Sequence, residues 1–414
     1  MNSTGYTFDV VVMLTSSNWF QELRSNRYHY AKRFVTCAPV LFVQPDRASK
    51  GFHMEPTEIE GISVVHVSSI YGYEQLKTLQ NLIQSEGYTR PLYWVYNVNF
   101  SHFLKQQTKA QVVFHATEDY LAKSSPVAYR KGSMYHYHLH ACLDRADTLI
   151  AVSDGVLQSY IKEGGFKGKH TVIANGCDFV FYDAVSASPN SRKIAFYQGN
   201  IFGKLDYDLL LHLAQALPDW TFQFCGPVLF NEPKWQQLLT HQNVEYKGVC
   251  TPEELREFAS EATVGLIPFK HEAWLVKKSL PLKAFEYLAS GLPVVSVTID
   301  ALKPYQDVFA FADDAKSFEG AIRNSADFRW DEGLIAKRKA AAKAEDYDAK
   351  FEKALGVMAE SGVLKYASQK KSHLLLLMVE QVRGYLKIIY KGVINSYVRY
   401  CRTFSKSSRR KARA

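Results

Sequence analysis

Cysteine is scarce and unpatterned in this chain. Six of its 414 residues are cysteine (Cys37, Cys142, Cys177, Cys225, Cys250 and Cys401), and no two stand in a CxxC or other metal-ligand spacing. At this size that excludes a disulfide framework and reads as reduced thiols. Long apolar runs are missing too. The longest candidate, Leu374 to Val379, falls far short of the roughly 18 residues that a spanning helix needs. The opening Met1-Asn2-Ser3-Thr4 has no basic segment followed by an apolar one, so no signal peptide is expected and the body is expected to be cytoplasmic. Acidic residues are nearly absent from one region only. Residues 361–414 hold thirteen Lys/Arg and a single acid, Glu380, a net +12; the first 360 residues hold 37 basic and 40 acidic, a net −3. The overall charge of +9 therefore belongs to the tail. This argues against a nucleic-acid partner for the body and points to a local anionic partner for the tail.

What is present is a globular composition, 47% hydrophobic, long enough for two domains or three. Short apolar runs alternate with amphipathic stretches. Strand-like runs are Asp9 to Leu14, Val40 to Val43, Val64 to Val67, Leu92 to Tyr96, Val112 to Phe114, Thr148 to Val152 and Thr171 to Ala174, with helical stretches such as Arg27 to Thr36 and Glu74 to Ser85 between them. Such alternation is the signature of a parallel sheet covered on both faces. Small polar residues at 184–192 suit a linker. A second series follows: Ile194 to Tyr197, Thr221 to Phe224, Val244 to Tyr246, Val264 to Ile267 and Val294 to Val297, with a helix over Leu209 to Ala216 stopped by Pro218. The expected division is 1–184, 185–340, a helix at 341–362 returning to the first domain, and a basic tail over 363–414.

The segment Ser279 to Ser296 carries the most chemistry. Pro281 opens a helix, Gly291 follows its last turn and Pro293 blocks continuation. Lys283 and Glu286, three apart, share a face near the helix start. Free N–H groups and a first-turn Lys suit a diphosphate, and a Glu one turn later suits ribose hydroxyls. A plain surface Lys–Glu pair is the alternative.

This stretch resembles the donor-nucleotide motif of GT-B glycosyltransferases, and most of all the family 4-like bacterial enzymes that assemble surface polysaccharides. Pro281, Lys283, Glu286, Tyr287, Ala289, Gly291, Pro293, Val294 and Val295 all match. Gly199 to Asp206, Cys225 to Val228, Asn243 to Gly248 and Val264 to Phe269 occur in the family's order, as do Ala146-Asp147, Val152-Ser153 and Asn175 to Asp178 in the first half. The resemblance covers about residues 8 to 355. It implies an α/β GT-B fold, two Rossmann-like parallel-sheet domains facing a cleft, and a nucleoside-diphosphate-sugar donor without cofactor or metal. It assigns Glu286 to the ribose and Lys283 to the phosphates, with Lys204, after the Gly199-Asn200 turn, as a second phosphate contact. Gly248 and Val249 border the base. Where retaining relatives carry a first Glu eight residues before the ribose Glu, this chain has Lys278, in a cationic segment from Lys270 that is expected to clamp the phosphates; the stereochemical outcome stays open.

A general base for the acceptor hydroxyl is expected from Val113 to Tyr120, a strand end followed by polar groups. Asp119 holds the better-matched position, with Glu118 and His115 behind it; a helix cap by Asp119 or Thr117 is the alternative. The segment from Trp19 through Arg24 and Arg27 resembles the acceptor-side region of the relatives, with core packing by Trp19 equally open. His136 and His140 would share a helix face without a third ligand, so no metal is expected. From Leu374 to Tyr400 an aromatic-aliphatic face opposes a basic face, followed by a polybasic end. This suits an anionic membrane surface bound through residues 374–413, peripheral on the inner face of the plasma membrane, with packing on the body as the alternative. Together these features favour a glycosyltransferase acting on a lipid-linked or oligosaccharide acceptor in polysaccharide biosynthesis. A sugar-nucleotide epimerase or phosphorylase on the same fold, and a silent membrane-recruited scaffold, are the competing readings.

Overall fold

The apolar runs become the strands of two separate sheets in the computed structural model, which describes residues 8–21, 24–45, 52–67, 73–122, 127–184, 192–229 and 232–359. The first sheet comprises β1 (Val10–Leu14), β2 (Val40–Pro45), β3 (Phe52–Pro56), β4 (Ile62–Val67), β5 (Pro91–Val95), β6 (Gln111–Ala116), β7 (Thr148–Ala151) and β8 (Lys169–Val172), in the order β3-β4-β2-β1-β5-β6-β7-β8. All pairings are parallel except β3 with β4. Every residue of β1 is buried, because a central parallel strand is covered by helices on both faces.

The second sheet comprises β9 (Lys193–Gln198), β10 (Trp220–Cys225), β11 (Val244–Tyr246), β12 (Val264–Ile267), β13 (Val294–Ser296) and β14 (Phe309–Phe311), all parallel, in the order β11-β10-β9-β12-β13-β14. Counted along its own strands this is the doubly wound 3-2-1-4-5-6 order. In both sheets the order reverses beside the first strand, and ligands of such sheets gather where the carboxyl ends flank that reversal.

Four elements differ from the sequence expectation, one of them β14, which was not among the expected runs. β3, Phe-His-Met-Glu-Pro, lacks alternation of its own and exists through its antiparallel pairing with β4. β8 begins two residues before the apolar run Thr171 to Ala174, since an edge strand needs less apolar cover. The loop expected at Lys270 to Lys278 contains a helix, Ala273–Lys278. The helix after it runs Leu282–Ala289, with Pro281 as its extended N-cap, and Gly291 takes the left-handed φ of 68° that ends it.

The chain crosses back at its end. Ala342, in the Glu332–Ala344 helix, packs in the second domain's core, whereas Tyr347 and Phe351, in the Tyr347–Ala359 helix, are buried in the first. Tyr347 stacks on His29 at 4.2 Å and Phe351 meets Phe34 edge-on at 4.9 Å. Each such buried ring contributes roughly 1.5–3 kcal/mol, so this helix fastens the two domains together. The amphipathic helix expected in 363–414 lies outside the described residues. Among the described residues no helix is long and apolar enough to cross a membrane.

Candidate active site

The donor side is built from three turns at the carboxyl ends of β9, β10 and β11. Gly199 and Gly226 hold φ of 121° and 131°, and a Cβ on Gly226 would lie 2.2 Å from the Gly199 carbonyl oxygen, so only glycine allows these turns to touch. Gly226 N–H donates to the Gly248 carbonyl at 2.7 Å, and the Tyr246 hydroxyl to the Gly226 carbonyl at 2.9 Å, which ties the third turn in. The Tyr197 hydroxyl fixes the other end of the Gly199-Asn200 turn by donating to the Asn200 carbonyl at 2.9 Å. Asn200 is exposed, and Val249 is 65% exposed beside Gly248. The structure therefore gathers Gly199, Asn200, Gly248 and Val249 around one concave edge.

Lys283 reaches over that edge. A Cβ on Gly199 would lie 2.9 Å from its Nζ, which sits 4.5 Å above the Tyr197 ring and 5.1 Å above Phe269. Burial of the ammonium group pushes its pKa down to about 7, the neighbouring Glu286 charge opposing and Lys204 reinforcing the shift. One turn on, Glu286 is buried and its pKa is pushed up to about 7, with the Lys283 charge and hydrogen bonds from Gln198 and Tyr182 pulling the other way. Gln198 Nε2 donates to Glu286 Oε2 at 2.5 Å, while Gln198 Oε1 is buried with no partner among the described residues. No side chain caps the start of the Leu282–Ala289 helix. An open helix start, a lysine, a carboxylate and an orphaned amide oxygen form a suitable cradle for a ribose and a diphosphate. Gln198 and Tyr182 were missed by the sequence reading. The only available signal for Gln198 was a polar residue closing an otherwise apolar strand.

Across the cleft the sequence candidates separate. Asp119 is buried and its carboxylate is fully engaged. Oδ1 accepts from the backbone N–H of Leu121 (3.0 Å) and Ala122 (2.9 Å), and Oδ2 accepts from Ser159 Oγ (2.7 Å) and from Lys278 Nζ. Burial alone would raise its pKa, but the Lys278 ammonium and the three other donors outweigh it and hold the carboxyl below the usual carboxylate range. In this arrangement Asp119 closes its own loop and pins the domains, with no helix starting there for it to cap, and it is poorly placed to take a proton. Lys278 is correspondingly drawn away from the donor edge expected of it: its Nζ bonds Asp119 and Ser159, and its carbonyl accepts from Ser153 Oγ at 3.1 Å. His115 is 1% exposed, with burial and the Arg27 charge pulling its pKa down to about 3, and its ring lies among Tyr30, Trp94 and Tyr96. It is sealed from the cleft.

Glu118 is different. Its side chain is 45% exposed, and Oε1 stands 3.9 Å from the ammonium of Lys204 on the opposite domain. Lys204 lies near the rings of Phe202 (5.4 Å) and Trp274 (5.9 Å). Glu118 and Lys204 therefore face one another where the carboxyl ends of the two sheets meet.

His136 Nε2 and His140 Nε2 approach to 3.3 Å, and His138 bonds Ser101 instead. Among the described residues, the group able to surround a metal ion is His53, Glu55 and His66 on β3 and β4, whose ligand atoms lie within 4.8 Å of one another. His66 Nε2 already meets Glu55 Oε1 at 2.5 Å.

The family model for "Glycosyl transferases group 1" matches residues 196–326. TuaH of Bacillus subtilis (strain 168), whose name places it in teichuronic acid biosynthesis as a glycosyltransferase, is 28% identical over 239 residues. That match covers 54% of this chain and 59% of TuaH, so it spans less than two thirds of the relative's length. Among solved structures, sucrose-phosphate synthase from Thermosynechococcus elongatus superposes with a TM-score of 0.64 at 14% identity, covering 85% of this chain and 98% of that one. HepE from Anabaena, solved in complex with UDP-glucose, gives 0.62 at 14% identity over 85% of this chain and 100% of its own. The Escherichia coli trehalose-6-phosphate protein bound with UDP-2-fluoro glucose gives 0.62 at 10% identity, over 86% and 100%. At these identities the likeness is one of fold. The chain thus has the GT-B fold, and the part of it that matches the glycosyl transferases group 1 model, residues 196–326, is the part that carries the Gly199 turn and the Lys283–Glu286 helix.

Proposed function

We propose that the protein is a glycosyltransferase that moves a sugar from a nucleoside-diphosphate-sugar donor to a saccharide acceptor carried on a lipid. The observation that carries this reading is the convergence of Lys283, Glu286 and the orphaned Gln198 oxygen on one edge, opposite Glu118. UDP-glucose and its 2-fluoro analogue in two proteins of the same fold support a nucleotide-sugar donor, and the name of TuaH, a teichuronic acid biosynthesis glycosyltransferase, supports a biosynthetic sugar transfer. Glu286 and Gln198 take the ribose. Lys283, Lys204 and the open helix start stabilise the departing diphosphate, whose charge grows as the sugar bond breaks. Glu118 replaces Asp119 as the group that receives the acceptor's proton, because its carboxylate faces the cleft while that of Asp119 is consumed.

The basic residues of 374–413 hold the enzyme on an anionic lipid surface, where a lipid-linked acceptor lies; each Lys or Arg near such a surface adds about 1 kcal/mol. Donor-dependent release of nucleoside diphosphate, together with labelled sugar entering lipid extract, is the expected result, and release without incorporation would favour hydrolysis or epimerisation. Glu118→Gln is expected to lower turnover at unchanged donor affinity. Truncation after residue 362 is expected to abolish vesicle binding while sparing donor hydrolysis; vesicle binding that persists would remove the tail's role.

A further inference from the structure

On the first domain's helix Asn26–Phe34 and the turn before it, the basic side chains are matched to carboxylates, with one exception. Arg24 pairs with Glu253 at 2.6 Å, Lys32 with Asp178 at 3.3 Å and Arg33 with Asp348 at 2.6 Å. Across the cleft Lys278 has Asp119 and Lys204 has Glu118. Arg27 stands among them with no ion pair or side-chain hydrogen bond to any described residue, and its Nε is shut away from solvent without a partner. A half-buried guanidinium without a counter-ion carries an unmet desolvation cost, which an anion arriving from outside would offset.

The group is also held in place. Its Cζ lies 5.0 Å above the Tyr96 ring, and that ring stacks on His115 at 5.1 Å. The Tyr96 hydroxyl donates to Asn26 Oδ1 at 2.7 Å, Asn26 donates to Asn175 Oδ1 at 3.0 Å, and Asn175 donates to the Leu280 carbonyl at 3.1 Å. Leu280 lies two residues before the donor helix, so this chain of hydrogen bonds ties the start of the helix that carries Arg27, and the Tyr96 ring beneath the guanidinium, to the second domain at the foot of the donor helix. His115, buried and without a partner on either ring nitrogen, supplies no negative charge there. The donor diphosphate already has Lys204, Lys283 and the open helix start on the other domain.

We propose that Arg27 is a specificity-determining contact for an anionic group, a carboxylate or a phosphate, carried by the acceptor. A planar guanidinium offers paired donors that match either oxyanion and discriminates against a neutral hydroxyl. The proposal rests on the glycosyltransferase reading and adds the acceptor's charge to it.

The test uses the full chain saturated with UDP, as wild type, Arg27→Gln and Arg27→Lys, with thermal midpoints measured to establish folding. Ligand-observed NMR gives affinities for two matched pairs of probes: glucuronate against glucose, and farnesyl phosphate against farnesol. At least one anionic probe is expected to bind tenfold or more tightly than its neutral counterpart, with the preference lost in Arg27→Gln and partly kept in Arg27→Lys. Preference for glucuronate assigns the anion to the saccharide, and preference for farnesyl phosphate assigns it to the lipid carrier. Three outcomes overturn the proposal: no charge preference in the wild type, an equal preference in Arg27→Gln, or a loss of UDP affinity in Arg27→Gln that matches the loss of probe binding. The titrations are repeated without UDP, so a failure of UDP to bind counts against the donor site alone while the charge preference is still read.

Discussion

Lys278 and Lys283 lie five residues apart and each faces a carboxylate, yet the two pairs do opposite things. Lys278 and Asp119 satisfy each other across the domain boundary, with Ser159 and two backbone N–H groups completing the carboxylate's bonds. Lys283 and Glu286 sit on one helix with their charges mismatched to burial, both pulled toward neutrality. A satisfied pair contributes to the assembly of the domains. An unsatisfied pair is held in readiness for a ligand that supplies the missing charge and hydrogen bonds. The comparison teaches that a motif lysine is informative through what its ammonium lacks, more than through its place in the chain.

The comparison breaks most readily at Glu286. Glu286→Ala removes the ribose acceptor and strands Gln198, so donor affinity is expected to fall about 100-fold, roughly 2.8 kcal/mol, by calorimetric titration; unchanged affinity would discredit the donor site. Asp119→Asn should act on the fold instead. It leaves the Lys278 ammonium unpaired, which costs about 1–3 kcal/mol, read as a lower denaturation midpoint with donor affinity nearly intact. A large loss of donor affinity with unchanged stability would reverse the roles given to the two pairs. The pin also carries an acid dependence: the Asp119 carboxyl is depressed in the folded state, so its stabilisation is full above the ordinary carboxylate pKa and is lost as pH falls through the folded value.

A smaller effect should appear in the pH profile of donor binding. Below about 7 Glu286 takes up a proton and stops accepting ribose hydroxyls; above about 7 Lys283 loses the charge that meets the phosphates. Affinity is therefore expected to peak near neutrality and decline several-fold toward pH 5.5 and 8.5, and a flat profile would show that neither group titrates in that window. The smallest change is expected at the Arg24–Glu253 pair, which also joins the domains but is open to solvent on its Glu253 side. Arg24→Ala should cost about 0.2–1 kcal/mol at low salt and nothing measurable at high salt, which sets the scale against which the buried Asp119 pin is judged.

Much of this was legible in the chain. Apolar runs located twelve of the strands because a parallel strand covered on both faces must be apolar along its length. Pro281, Gly291 and Pro293 bounded the donor helix because each acts through its own backbone. β3 was invisible, since Phe52 to Pro56 is held by its neighbour β4 and has no pattern of its own. Asp119 outranked Glu118 by position in a motif, and position does not report whether a carboxylate's lone pairs are already taken. Nor did residue spacing disclose that Arg27, among the cations of the Asn26–Phe34 helix and the turn before it, is left without a carboxylate among the described residues.

The sequence by itself determined the alternation of strands and helices, the division into two α/β halves, the Lys283–Glu286 spacing on one helix face and the concentration of positive charge after residue 360. These follow from periodicity, backbone chemistry and composition, which are local. Only the tertiary structure decided which charges meet across the cleft: Asp119 bonded to Lys278, Glu118 standing 3.9 Å from Lys204 with its carboxylate open, and Arg27 without an ion pair among the described residues. Those partners are separated by 80 residues or more in the chain, and whether a charge is met or left waiting depends on distances and burial that arise only when the two sheets face each other.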